Sequence, residues 1–215
     1  MELDLYKLYY HPLNASMAPR FVLEALCLKH ELVLVDRKAS FQKSAEYLAL
    51  NPSGRIPVLV DGENVIFESA AICIYLCEKK PGSNLIPEIV EERAQFFQWL
   101  MYLTGTVQAE LMVYFYPERH SEDSAATSQI HNQQDRRIVE MLALLDSQLE
   151  GKQYLLGDNL SLCDYFLFML CVWADELSVP PLKFKNLNRS LRYIAALPEV
   201  ANVCRHENLS LEMYV

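Results

Sequence analysis

No two cysteines in this chain are spaced as Cys-X-X-Cys, although it holds six in 215 residues. That absence removes the dithiol motif of redox proteins and the paired spacing of zinc sites. Cys27, Cys73, Cys77, Cys163, Cys171 and Cys204 are scattered along a chain too long to need covalent staples, so they read as reduced thiols of a cytoplasmic protein. Cys73 and Cys77 stand four apart in a helical pattern and read as small buried hydrophobes. No basic cluster is present: Lys and Arg number 19 against 28 Asp and Glu, for a net charge of -9. A nucleic-acid-binding face is therefore not expected. No apolar run is long enough to cross a bilayer, so no membrane role is expected. The opening MELDLYKLYY lacks the basic-then-apolar pattern of a secretion signal. There is no internal repeat and no low-complexity stretch.

What is present is a composition of 52% apolar and 22% charged residues, normal for a globular protein with a sizeable core. The length allows one large domain or two small ones. Leu5 to Tyr10 is a β-prone run ending in the turn signal His11-Pro12. From Ser16 to Leu28 apolar residues recur at helical spacing, with Ser16 as the expected N-cap and Pro19 in the first turn. Leu32 to Val35 reads as a strand buried on both faces. Ser44 to Leu50 reads as a short helix. Val58-Leu59-Val60 and Val65-Ile66-Phe67 read as strands joined by a turn at Asp61-Gly62, and Glu68-Ser69 opens a helix that runs to about Lys79. The order is β-α-β-α-β-β-α. The breaker cluster Pro81-Gly82-Ser83-Asn84 marks a domain boundary. Beyond it strand signals vanish. Helical patterns cover 88–116, 123–150, 165–173, 187–197 and 198–206. Domains are expected at 1–81 and 88–215, the second all-helical.

The densest stretch is Asn51 to Tyr75, NPSGRIPVLVDGENVIFESAAICIY. Pro57 stands before a strand, where a missing N–H is tolerated, and X-Pro is the common site of a cis bond. A cis Pro57 would turn the main-chain N–H and C=O of Ile56 outward, toward an extended peptide. Glu68-Ser69 offers a carboxylate, a hydroxyl and the unpaired N–H groups of a helix start, a set suited to an amine and a carboxylate.

Together NPSGRIPVL, DGE, the ES-x-AI-x-x-YL pattern and an all-helical partner domain resemble the cytosolic glutathione transferases over nearly the whole chain. LYYHPLNASMAP is similar to the bacterial branch of that family. LSLCDY is similar to its capping box, in which Ser161 caps and Asp164 reaches back to the Ser161 N–H. The resemblance implies a thioredoxin-like N-terminal domain (βαβαββα) that binds glutathione as co-substrate, with no metal. Ile56, before Pro57, would pair through its backbone with the cysteinyl part, and Glu68 and Ser69 would hold the γ-glutamyl end. For the glycyl carboxylate the candidates are Arg37, Lys38, Lys43 and Arg55, with Lys38 and Arg55 carried as site residues. The resemblance also implies a homodimer.

The chemical problem is the thiol. A free thiol has a pKa of about 8.5, and only the thiolate attacks. Lowering that pKa by about two units requires roughly 2.7 kcal/mol of preferential thiolate stabilisation. The donor is expected between the first strand and the first helix, in Tyr10 to Ser16. Where the bacterial branch has a cysteine this chain has Ala15, so that branch's thiol chemistry is absent. Ser16, Asn14 and Tyr10 remain as candidate donors, and His11 reads as a turn residue. The second substrate, a hydrophobic electrophile, is expected against the aromatic helix after residue 88, where Trp99, Tyr114 and Phe115 add to the named contacts Tyr102, Gln108, Met112 and Tyr116. The function expected is attack of bound glutathione thiolate on that electrophile. Glutathione-dependent disulfide or peroxide reduction, isomerisation, and a non-catalytic binding role stay open beside it.

Overall fold

The computed structural model describes residues 5–215. The chain forms two compact units, one running to Ser83 and including Pro198–Leu211, the other comprising Asn84–Leu197 and Glu212–Val215. In chain order the elements are β1 (Tyr6–Tyr10), α1 (Met17–Ala25), β2 (His30–Leu34), α2 (Ala45–Leu50), β3 (Val58–Asp61), β4 (Asn64–Phe67) and α3 (Ser69–Lys79). These are followed by α4 (Val90–Met101), α5 (Gln108–Phe115), α6 (Ser124–Gln148), α7 (Leu162–Trp173), α8 (Lys185–Ala195) and α9 (Pro198–His206). The expected thioredoxin-like βαβαββα order of the first unit holds, as does the helical character of the second.

The sheet order is β2-β1-β3-β4. β1 and β2 are parallel; β3 is antiparallel to both β1 and β4. The register decides what comes together. Tyr9 of β1 pairs with Val58 of β3, and Val58 pairs with Phe67 of β4. One end of the sheet therefore gathers three connections: the loop after β1, the Ile56-Pro57 approach to β3, and the Glu68-Ser69 exit from β4. β2 corrects the expectation of a strand buried on both faces. It is an edge strand, and Leu34 is 57% exposed.

Side-chain chemistry explains several helix starts. Asp123 caps α6 by accepting from the Ala125 N–H at 2.8 Å. Ser44 caps α2 by accepting from the Tyr47 N–H at 3.2 Å. Ser16, expected as the α1 cap, makes no side-chain cap bond. The Ser161-Asp164 pair forms the expected capping box of α7. α8 is started from a distance, because Asp146 of α6 accepts the N–H groups of Asn186 at 2.6 Å and Leu187 at 2.8 Å.

The continuous helix expected over 88–116 is interrupted. Tyr102–Val107 is a π-helical turn between α4 and α5. It contains Gly105, and the Thr104 hydroxyl bonds back to the Leu100 carbonyl at 2.8 Å. Leu100, Leu103, Val107 and Leu111 are all buried across this turn.

Gly54 is needed where it stands. Its φ is +61°, and a Cβ there would lie 2.9 Å from the Gln42 carbonyl oxygen and 2.8 Å from Lys43 Nζ. Gly54→Ala is expected to cost about 2 kcal/mol, combining left-handed strain with the backbone clash. The thermal midpoint should fall by about 5 °C. A scan showing no shift would mean the turn relaxes freely.

Candidate functional site

The loop after β1 is built inward from its main chain. The Val35 N–H donates to the Tyr10 carbonyl at 2.8 Å. His11 Nδ1 lies 3.0 Å from the Val35 carbonyl, as its N–H donor, in keeping with a turn residue. Ser16 is completely buried; its hydroxyl donates to the His11 carbonyl at 3.0 Å and accepts from the His11 N–H at 3.3 Å. A hydroxyl has one proton to give, and here it closes the loop on itself. Asn14 is half-buried. Its carbonyl accepts from the Met17 N–H at 2.9 Å and its Oδ1 accepts from the Ala15 N–H at 2.8 Å. Among the described residues its Nδ2 meets no acceptor. Tyr10 is half-buried, its ring 5.4 Å from the Arg20 guanidinium carbon.

The approach to β3 is held from behind. Asn51, 2% exposed, accepts from the Ser53 N–H and hydroxyl at 3.0 and 2.8 Å and donates to the Arg55 carbonyl at 2.7 Å. The Tyr47 hydroxyl donates to the same carbonyl at 2.8 Å. Burial raises the Tyr47 hydroxyl well above its ordinary pKa, so it stays a donor. The Ile56-Pro57 bond is cis. The Ile56 side chain packs on the cluster of Val35, Tyr47 and Val58. Its main chain precedes the β3 ladder and takes no hydrogen-bond partner among the described residues. The Arg55 and Lys38 side chains are exposed, and the Lys38 N–H donates to Asp36 Oδ1 at 2.9 Å.

Glu68 has φ +73° and ψ +116°, a sparsely populated conformation that costs about 1–3 kcal/mol for a residue with a Cβ. Its side chain is exposed, and the residue stands at the N-terminus of α3. Ser69 is buried, and its hydroxyl donates to the Ala15 carbonyl at 2.8 Å. That bond ties the start of α3 to the loop after β1. Ala15 thus supplies a main-chain acceptor to the Glu-Ser turn. The structure brings Asn14, Ala15, Ser16, Glu68 and Ser69 together. Behind them on α3, Cys73 and Cys77 are buried; burial raises both thiols, that of Cys77 to about 12, so neither is a nucleophile.

In the second unit, Tyr102, Gln108, Met112 and Tyr116 are all half-buried. Tyr102 meets Trp99 edge to face at 5.6 Å, and the Arg119 guanidinium lies 3.8 Å from the Tyr116 ring centre. Tyr114, also aromatic, is buried and stacks on His131 at 4.2 Å. It belongs to the packing of the helical unit.

Sequence reasoning missed Glu207. Its Oε2 accepts from the Leu13 N–H at 2.7 Å and its Oε1 from Arg20 at 2.7 Å. Only Arg20, a charge among the apolar residues of α1, was a visible anomaly. The anchoring roles of Tyr47 and Asn51 were also missed, although Asn-Pro-Ser is a side-chain turn signal.

Comparison with known proteins fits this geometry. Residues 2–78 match the model of the glutathione S-transferase N-terminal domain, and residues 106–198 that of the C-terminal domain. Glutathione S-transferase F10 of Arabidopsis thaliana is 36% identical over 195 residues, covering 87% of this chain and 87% of its own. The chain belongs to the glutathione S-transferase family. A crystal structure of a glutathione transferase homologue from Sulfitobacter, solved with bound glutathione, superposes with a TM-score of 0.88 at 24% identity, covering 96% of this chain and 100% of that one. A glutathione transferase from Burkholderia graminis, solved with two glutathione molecules per subunit, gives 0.82 at 27% identity, covering 93% and 87%. The protein is thus a glutathione transferase with alanine at the loop position 15. Among its described residues no helix is long and apolar enough to cross a membrane.

Proposed function

We propose that this transferase binds glutathione as an added strand against the Ile56 main chain and delivers its thiolate to a hydrophobic electrophile. Glu68 pairs with the γ-glutamyl ammonium. The main-chain N–H groups of Ser69 and the N-terminus of α3 receive the γ-glutamyl carboxylate, the Ser69 hydroxyl being engaged with Ala15. Lys38 or Arg55 meets the glycyl carboxylate. Asn14 donates to the sulfur through Nδ2, since the Ser16 hydroxyl is spent on His11 and the Tyr10 ring lies against Arg20. Tyr102, Gln108, Met112 and Tyr116 offer the acceptor a mixed aromatic and polar surface. The same reading carries a homodimer acting in the cytoplasm.

The observation that carries it is the bond from Ser69 to Ala15. It holds a helix N-terminus, a strained carboxylate residue and the thiol loop within one hydrogen bond of each other. The bland account of Glu68-Ser69, an ordinary helix start, does not explain a glutamate held at φ +73° with no side-chain cap bond. The test is titration calorimetry with glutathione beside a conjugation assay with an activated chloronitrobenzene. Glu68→Gln is expected to weaken glutathione about 10–100-fold, the value of one charge-assisted hydrogen bond. Unchanged affinity would remove Glu68 from the site.

Glutathione-dependent disulfide reduction is the second reading. Its support is the Burkholderia graminis relative, which holds two tripeptides per subunit. Full reduction of a disulfide consumes two glutathione thiols in succession: the first displaces one sulfur and forms a mixed disulfide, and the second releases the other as oxidised glutathione forms. Turnover of a mixed glutathione disulfide exceeding conjugation would favour it.

A further inference from the structure

We infer that Glu207, which follows α9 and lies about as far from the loop in sequence as the chain allows, is a positioning residue for the thiol-activating loop. Its carboxylate divides between two partners. Oε1 takes Arg20 Nη1 of α1 at 2.7 Å, and Oε2 takes the Leu13 N–H at 2.7 Å. The side chains of the ion pair are 2% and 0% exposed.

Three further observations make this a clamp. Leu13 has φ +54°, a left-handed conformation that a branched residue does not keep unaided. The residue after it is Asn14, the proposed sulfur donor, so the Leu13 peptide sets where that side chain starts. α9 is itself docked on α1: Asn202 donates to Glu24 at 3.1 Å, and Val200, Val203 and Cys204 are buried. Glu207 is held by its own main chain, since its N–H donates to the Val203 carbonyl at 3.0 Å and the Leu209 N–H returns to the Cys204 carbonyl at 2.9 Å around Asn208 at φ +58°.

Arg20 is poorly explained as a stabiliser. Its Nε is buried without a partner among the described residues, and a buried ion pair is often no better than apolar residues of the same volume. Its guanidinium instead fixes the Glu207 carboxylate and covers the Tyr10 ring. The pair is thus a rigid support for one hydrogen bond to the loop.

The inference rests on the proposed glutathione chemistry, and the test separates the two. Compare Arg20→Met/Glu207→Gln with Arg20→Met/Glu207→Leu. Both remove the buried charges; only the first keeps an oxygen for the Leu13 N–H. The leucine variant is expected to show kcat/KM for glutathione conjugation about tenfold below the glutamine variant. The ascending limb of its pH–rate profile should move to higher pH, and amide exchange of the segment spanning residues 11–16 should quicken. Identical profiles and identical exchange in the two variants would overturn the clamp. If wild type neither binds nor turns over glutathione, the functional reading fails, and amide exchange alone still decides the clamp. Should a double variant not fold, Glu207→Asp keeps the charge and withdraws the carboxylate by one methylene; quicker exchange at 11–16 supports the clamp, and unchanged exchange rejects it.

Discussion

Asn14→Ala is expected to raise the apparent pKa of the enzyme-bound glutathione thiol by about one unit and to lower kcat at pH 5.5, below that pKa, about tenfold. Below its pKa a thiol loses a factor of ten in thiolate for each unit, so one lost donor sets both numbers. The groups proposed to hold the tripeptide, Ile56, Glu68 and Ser69, are untouched, so affinity for glutathione should change less than about threefold. Asn14→Asp keeps the acceptor for the Ala15 N–H but replaces the donor by a negative charge. It should raise the thiol pKa further than alanine does. Ser16→Ala predicts a different pattern. It deletes both bonds between the hydroxyl and His11, which should cost about 1–3 kcal/mol of stability and leave the pH–rate profile in place. If Ser16→Ala moved the profile and Asn14→Ala did not, the serine would be the sulfur donor. The measurement is kcat against pH for conjugation, with thermal unfolding as the control for folding.

Asp164→Ala should give the largest loss of stability, about 3–5 kcal/mol. Asp164 is completely buried. Its Oδ1 accepts from the Leu155 N–H at 2.8 Å; its Oδ2 accepts from the Ser161 N–H and hydroxyl, each at 2.8 Å. Alanine leaves two buried main-chain donors unpaired. The same site has a pH signature. Burial pushes the Asp164 carboxyl up to about 6, against the pull of those hydrogen bonds. The folded state therefore holds this proton more tightly than the unfolded chain, whose aspartate titrates near 3.9. The resulting stabilisation is fully present below about pH 4 and is lost as pH rises through about 6. Asp164→Asn retains one oxygen and cannot ionise. It should lose less stability than alanine and flatten the dependence of the thermal midpoint between about pH 4 and 6. A wild-type midpoint that rises across this window, with the asparagine variant unchanged in slope, would refute the assignment.

The order of elements in the first unit was legible because each announces itself locally. Alternation, turn residues and caps lie within a few positions of one another, as in Val58-Leu59-Val60 followed by Asp61-Gly62, or Ser161 followed by Asp164. The Ile56-Pro57 and Glu68-Ser69 pairs were legible for the same reason. Proline restricts its own residue, and a helix start exposes donors wherever it stands. The long helix of the second unit was misread at Tyr102–Val107. Leu100, Leu103, Val107 and Leu111 fit an unbroken α-helix about as well as one with a wide turn, and only packing separates them. The edge position of β2 was hidden because an apolar run does not say how many neighbours a strand has.

The amino-acid sequence by itself determined the thioredoxin-like arrangement, the helical second unit, the family, and the short segments suited to a thiol-bearing tripeptide. Tertiary structure alone decided what each side chain of the loop meets. It buried the Ser16 hydroxyl against His11, seated Ser69 on Ala15, and brought Glu207 from the far end of the chain to hold Leu13. The reason is physical. A cap or a turn depends on neighbours a few bonds away, whereas a donor's availability depends on every acceptor the folded chain places within about 3 Å of it.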